Sequence, residues 1–221
     1  GHGIAYAADA NADGPQGYFV PQDGDAKRIE SFLPMAEVQA ALSKLPCRHL
    51  LVLLDCCFAG AFRWSKTRNL VVKRQTKLTK QRYDRYLRDP AKQVITSASH
   101  NETALDFTPG TLRGVRDTAA GDHSPFARAL IRALRDSAAD VGYPGKPPDG
   151  VTTASELHLY IESQLAELEK GLDRRVQKPR FWQIDDRSQN EFLFEKPGLD
   201  PTQLPSALVL SEKNNPYRGL Q

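Results

Sequence analysis

The stretch that most constrains this chain is His49 to Gly60, His-Leu-Leu-Val-Leu-Leu-Asp-Cys-Cys-Phe-Ala-Gly. Leu50 to Leu54 is an unbroken apolar run of strand length. A run without polar alternation suits a strand covered on both faces, as in a parallel sheet between layers of helix. Asp55, Cys56 and Cys57 follow at once, and Gly60 permits a tight turn. In open α/β sheets, ligands bind beyond the carboxyl ends of the strands. A carboxylate and two thiols at such an end single out this segment, although burial is the ordinary fate of a cysteine.

The rest of the chain reads as a frame for that strand. Gly1 to Asp25 is a loop with one small hairpin around Tyr18-Phe19-Val20. Asp9, Asn11, Asp13 and Gly14 lack the Glu that a calcium loop needs and read as a solvated turn. A helix is expected over Pro34 to Leu45, with Pro34 in its first turn, Val38, Leu42 and Leu45 on one face, and Pro46 as its stop. Phe58 to Trp64 is a short helix closing over the buried strand. Val94 to Ser97 is a second strand, again with polar residues at its exit. Thr108 to His123 has no periodicity and reads as a loop. Ser124 and Pro125 open a helix as N-cap and first residue, with Phe126, Leu130, Ile131 and Leu134 inward. Thr153 or Ser155 caps a further helix carrying Leu157, Tyr160, Ile161, Leu165 and Leu168, which Gly171 ends. Phe181–Ile184 and Glu191–Phe194 are short strands. Strands alternating with helices predict an α/β fold with a mainly parallel sheet, its faces covered by the helices from Pro34, Ser124 and Ser155.

Composition sets limits. At 221 residues the chain is one domain, or one domain with a tail, and can bury a core without disulfides. Three cysteines, two of them adjacent, do not make a disulfide framework; a reducing cytoplasm is the expected compartment. No stretch approaches the roughly 20 apolar residues of a membrane span. A formal charge of +3 gives no general case for nucleic acid. Between Arg63 and Arg88, however, ten Lys and Arg residues meet one acid, Asp84, with Trp64, Tyr83 and Tyr86 interleaved. A solvated helix and loop, an exposed protease-sensitive connection and a nucleic-acid surface would all look like this.

Two features combine into chemistry. Gly1-His2-Gly3 opens the chain, and Cys57 follows His2 by 55 residues at the end of the buried strand. A thiol becomes a nucleophile when a base or a positive environment favours its thiolate. A histidine ending one strand and a cysteine ending its neighbour would meet in space. Glycine after the histidine lets the backbone approach a substrate closely, where its N–H can stabilise an oxyanion.

Gly1-His2-Gly3 resembles the Ser-Gly-His-Gly motif of caspase-like cysteine peptidases, lacking its first residue. Asp55-Cys56-Cys57-Phe58-Ala59-Gly60 resembles their Asp-Ser-Cys-His-Ser-Gly. Val94 to Ser99 is similar to the strand that follows in the family, and His123-Ser124-Pro125-Phe126 to the start of its next helix. The match is nearest to the bacterial caspase-like, metacaspase and paracaspase branch and covers roughly Gly1 to Phe194. It implies a caspase-like fold whose N-terminal strands precede this chain. The peptidase domain would span 1–196, with a basic insert at about 63–92. Residues 197–221 would then be a linker towards a following module.

The resemblance also implies roles. Cys57 attacks the scissile carbonyl, His2 acts as base and acid, and the backbone N–H groups of Gly3 and Cys57 form the oxyanion hole. Asp55 lines the pocket for the residue before the cut, which a carboxylate would make Arg or Lys. Cys56 replaces the family's serine and reads as packing. Glu102 and Asp106 lie where relatives carry acids, Glu102 as candidate calcium ligand and Asp106 as candidate second pocket acid. Their spacing departs from the relatives', so no cofactor is expected.

The implied partners are a protein or peptide substrate, the chain's own basic loop as a self-cleavage site, and a regulatory sensor or NTPase domain. Asn215-Pro216-Tyr217-Arg218-Gly219-Leu220-Gln221 is similar to the opening of a STAND-type NTPase module, as in signalling or defence proteins. Neither membrane nor nucleic acid is an expected partner. The alternatives are a catalytically silent caspase-like scaffold, a nucleic-acid-binding domain using Arg63 to Arg88, and a His-Cys-Cys metal site. Adjacent cysteines point in different directions, which makes them poor joint ligands.

Overall fold

Leu50 to Leu54 does form a strand, and the two faces of that strand meet different layers. The computed structural model describes residues 1–6, 15–63, 78–99, 123–141, 148–172, 177–184 and 190–206. Strands β1 (His2–Tyr6), β2 (Gln16–Val20) and β3 (Leu33–Pro34) form an antiparallel sheet, β1-β2-β3. Helix α1 (Met35–Ser43) leads into β4 (His49–Leu54). Helix α2 (Lys80–Arg88) precedes β5 (Ala91–Thr96), and α3 (Pro125–Arg135) follows it. Then come β6 (Val151–Thr153), α4 (Ala154–Leu172), β7 (Arg180–Gln183) and β8 (Leu193–Glu195), and a 3-10 turn at Pro201–Gln203.

The central sheet has the order β4-β5-β7. Strand alternation sorts its side chains. Leu51, Leu53, Ile95 and Phe181 pack with Phe126, Ala129 and Ala133 of α3 and Leu157, Ile161 and Leu165 of α4. Leu50, Val52, Leu54, Val94 and Trp182 pack on the other side with Met35, Val38 and Leu42 of α1 and with Phe62. Coverage on both faces explains the absence of polar alternation in β4. Burying a side chain the size of Phe126 or Leu157 stabilises by roughly 2–3 kcal/mol. The fold is therefore mixed α/β, with helices on both faces of the sheet. Parallel pairing occurs between β4 and β5, but β7 runs antiparallel to β5, and the pairings β1·β2, β2·β3 and β6·β8 are antiparallel too. Among the described residues the sheet is thus not mainly parallel.

Several boundaries differ from expectation for local reasons. Pro34 is extended and pairs with Tyr18, so α1 starts one residue later. Its inward stripe is Met35, Val38, Gln39 and Leu42, the i, i+3, i+4, i+7 set, and Leu45 beyond its end is 41% exposed. β5 begins at Ala91, three residues before the expected Val94. α4 runs through Gly171 to Leu172. The basic stretch is in part an integral element: α2 turns Tyr83 inward, and the Tyr83 hydroxyl donates to Glu195 Oε1 at 2.7 Å. Residues 64–77 lie outside the described residues. In the segment from Pro197, expected to be linker, Leu204 is buried with Leu78, Tyr83 and Val151 and Leu199 packs against them, while most of the residues between are exposed. The Lys80 N–H donates to the Pro205 carbonyl at 3.0 Å.

A buried polar cluster ties α2 to the sheet. Asn190 Nδ2 donates to the Tyr86 carbonyl at 2.9 Å and to that of Asp89, both at the α2 C-terminus. His49 Nε2 contacts the same two oxygens at 3.0 and 3.1 Å. Asn190's own carbonyl accepts from Gln93 and Gln183. Asn190→Ala is expected to leave a buried helix-end carbonyl short of a donor and to open a small cavity. The expected cost is about 2–3 kcal/mol in chemical denaturation. Asn190→Asp should cost at least as much, because it sets a carboxylate against two carbonyls. A change within a few tenths would show that His49 alone holds the helix end.

Thr153, not Ser155, caps α4. Thr153 Oγ1 accepts from the Glu156 N–H at 3.1 Å, and Glu156 Oε2 accepts from the Thr153 N–H at 2.6 Å, a reciprocal capping box. Burial, with the nearby Asp149 and Asp140 adding to it, pushes the Glu156 carboxyl from its usual 4.5 up to about 7. A raised carboxyl means the fold favours the neutral form. Stability from this group is present below about pH 4.5 and is lost as pH rises through 7. Glu156→Gln keeps the acceptor and removes the charge. It should stabilise the protein by about 2 kcal/mol at pH 8 and by almost nothing near pH 4.5. Denaturation curves at the two pH values test this; a pH-independent difference would refute it.

Candidate functional site

The exits of β4 and β5, the start of α3 and the first residues of β1 come together. The Ser97 N–H, just past β5, donates to the Leu54 carbonyl at 2.8 Å, and the Ser97 hydroxyl donates to the Cys56 carbonyl at 3.3 Å. Cys56 is buried at 5% exposure among Met35, Ala59 and Phe62. Burial pushes its thiol up to about 11, and the neighbouring Cys57 and Asp55 add to the rise. Cys57 is half-buried. The backbone turns sharply after it: Phe58 has φ 53, left-handed for a residue with a bulky side chain. Such a conformation costs on the order of 1–3 kcal/mol and persists only where its surroundings enforce it. Here the Phe58 carbonyl accepts from the Ala61 N–H at 2.8 Å, starting the 3-10 turn Ala59–Arg63. The expected short helix after the strand is this turn.

β1 lies against that corner. The Gly1 nitrogen donates to the Asp55 carbonyl at 2.9 Å. A Cβ on Gly3 would overlap the Cys57 carbonyl oxygen and stand 3.2–3.3 Å from Met35 Cε and Cys56 Sγ. Only glycine permits this approach. The residues on both sides of His2 thus touch the Asp55–Cys57 backbone. Alternation puts the His2 side chain on the opposite face of β1 from the one Gly3 turns to Met35, and His2 is exposed. The small hairpin expected in Gly1 to Asp25 is there, β1 pairing antiparallel with β2, and its first strand takes in His2 to Tyr6, which read as loop.

Asp55 is held in place. The Ser124 hydroxyl donates to Asp55 Oδ2 while its oxygen accepts from the Ala127 N–H at 3.0 Å. Ser124 is therefore the N-cap of α3, as its sequence position suggests, and also a clamp on the acid 69 residues earlier. Sequence reasoning missed this second role, and also the tie from Ser97 to the Cys56 carbonyl. Contacts across 69 and 41 residues leave no local signal.

Compared with models of known protein families, with curated proteins and with solved structures, the chain has no match in any of the three. The arrangement has to be judged on its own chemistry. Gly3, Asp55, Cys56 and Cys57 are brought together; His2 stands on the neighbouring position of β1 with its side chain on the opposite, exposed face. Glu102 and Asp106 lie outside the described residues. Among the described residues, no three of His, Cys, Asp and Glu group so as to hold a metal ion. No helix among them is long and apolar enough to cross a membrane. The corner offers a half-buried cysteine on a strained turn, a histidine on the adjoining strand, and a carboxylate fixed by a serine. That set can support nucleophilic attack by sulfur and recognition of a cation.

Proposed function

We propose that this chain is a cysteine endopeptidase of caspase-like type that cuts after Arg or Lys. The observation that carries this is the seating of Gly1 and Gly3, on either side of His2, against the backbone of Asp55 and Cys57 at the exit of β4. In this mechanism His2 takes the Cys57 thiol proton and sulfur attacks the scissile carbonyl carbon. His2 then delivers the proton to the leaving amine, and water hydrolyses the thioester. The N–H groups of Gly3 and Cys57 are assigned to the oxyanion. Asp55, oriented by Ser124, pairs with the basic side chain before the cut. The β4-β5-β7 sheet with helices on both faces would be part of a caspase-like sheet. Self-cleavage is assigned to the basic positions between Arg63 and Lys77. Those of α2 stand in a regular helix, which an endopeptidase would have to unwind.

The test uses paired fluorogenic peptides ending in Arg and in Asp, with an Arg chloromethyl ketone as an active-site label. Cleavage after Arg, with covalent label on Cys57, is expected. Cleavage after Asp would keep the nucleophile and overturn the pocket. No cleavage together with no labelling of Cys57 would overturn the peptidase reading.

A further inference from the structure

The outer face of the small sheet has a composition that solvent alone does not explain. Cross-strand partners share a face, so His2, Ile4 and Tyr6 of β1 stand with Val20, Tyr18 and Gln16 of β2. The opposite face, with Gly3, Ala5, Gly17 and Phe19, packs on Met35, Ala61 and the core behind them. Solvated faces of antiparallel sheets are ordinarily polar. Here four of six positions are aromatic or branched aliphatic. Tyr6 is 43% exposed, while Ile4, Tyr18 and Val20 are half-buried among the described residues. The Tyr6 and Tyr18 rings meet edge to face, with centroids 5.8 Å apart, and the Tyr18 hydroxyl donates to Gln16 Oε1 at 2.9 Å. The rings are thus fixed before any partner arrives, which lowers the entropy cost of binding on them.

We propose that this face, led by Tyr18 and Ile4 beside His2, receives the part of a peptide substrate that follows the cut bond and selects large apolar or aromatic residues there. The inference rests on the peptidase reading and specifies its substrate class. Chemistry fixes the direction. Asp55 holds the side chain before the cut, on the acyl side. The histidine must reach the leaving nitrogen to protonate it. The segment beyond that nitrogen therefore departs over the strand that carries His2. An extended peptide advances about 3.3 Å per residue, and Tyr18, opposite Ile4 and so the diagonal neighbour of His2 across the strand pair, is about 7–8 Å away. That distance is the reach of the first two residues after the cut.

Two quenched peptides identical up to Arg, one continuing Tyr-Leu and the other Gly-Ser, provide the test. Their affinities for full-length Cys57→Ala and their cleavage by the unmodified chain are both measured. The Tyr-Leu peptide should bind about tenfold more tightly, the size expected for partly burying one large apolar side chain. Tyr18→Ser should bring the ratio close to one, while Tyr18→Phe should keep most of it. Both substitutions point outward, and thermal denaturation checks that the fold is kept. Equal affinities, or a preference that Tyr18→Ser leaves intact, would overturn the inference while cleavage after Arg still upheld the peptidase. Neither peptide binding nor cleavage would overturn both. A concentration-dependent dimer that Tyr18→Ser dissolves would assign the face to a second copy of the chain and overturn the substrate role.

Discussion

Cys57→Ala is expected to lower kcat/KM on Arg-ending peptides by about 10⁴-fold or more, the loss that follows when a covalent nucleophile is removed. Cys56→Ala is expected to leave that chemistry running and to cost about 1 kcal/mol of stability. The adjacent thiols differ through their surroundings. Cys56 is sealed among Met35, Ala59 and Phe62, and burial lifts its thiol to about 11. A thiol there stays protonated at neutral pH. Cys57 is only half-buried, on the turn that Phe58 enforces, on the side where β1 approaches. Alkylation separates the two. Iodoacetamide should modify Cys57 in the folded chain, and Cys56 only after denaturant is added. Full activity in Cys57→Ala, or rapid alkylation of Cys56 in the native state, would reverse the assignment.

Asp55, Cys57 and Gly60 stood out in the sequence because a buried strand and its exit are local features. A run of apolar residues, a carboxylate and a turn glycine all fall within twelve residues. The N-cap at Ser124 was legible for the same reason, and the cap of α4 was narrowed to Thr153 or Ser155, of which Thr153 is the one used. Long-range contacts were not. Ser124 reaches Asp55, Ser97 reaches the Cys56 carbonyl, and Asn190 reaches the end of α2, each through side chains that look like ordinary loop or cap residues. The direction of β7 was hidden too. Phe181 and Trp182 suit either orientation, because both faces of the sheet are covered. The packing of Leu204 was hidden by its setting, since one leucine between Pro and Gln residues gives no periodicity.

Gly3→Ala should damage both stability and rate. A methyl group there overlaps the carbonyl oxygen of Cys57, a backbone atom with no rotamer to yield. The neighbouring Met35 Cε and Cys56 Sγ, at 3.2 and 3.3 Å, can move aside, so they are not the obstacle. Either β1 lifts away from the β4 exit or the turn at Phe58 shifts, by about 1 Å in either case. Overpacking of this kind costs about 3 kcal/mol, roughly 6–12 °C in Tm for a chain of this length. The same displacement separates the strand carrying His2 from Cys57, and a 1 Å error in catalytic geometry can cost about 100-fold in rate. Stability and rate should therefore fall together. Gly17→Ala is the useful comparison, because its Cβ would meet Ala61 Cβ at 2.6 Å and Met35 Sδ at 2.7 Å, both side-chain atoms. It presses on the same sheet without touching the Cys57 backbone, so it should lower Tm with a smaller loss of rate per degree. If Gly3→Ala keeps both Tm and Cys57 reactivity, β1 does not lie against the Cys57 carbonyl, and the site loses the contact that joins its two halves.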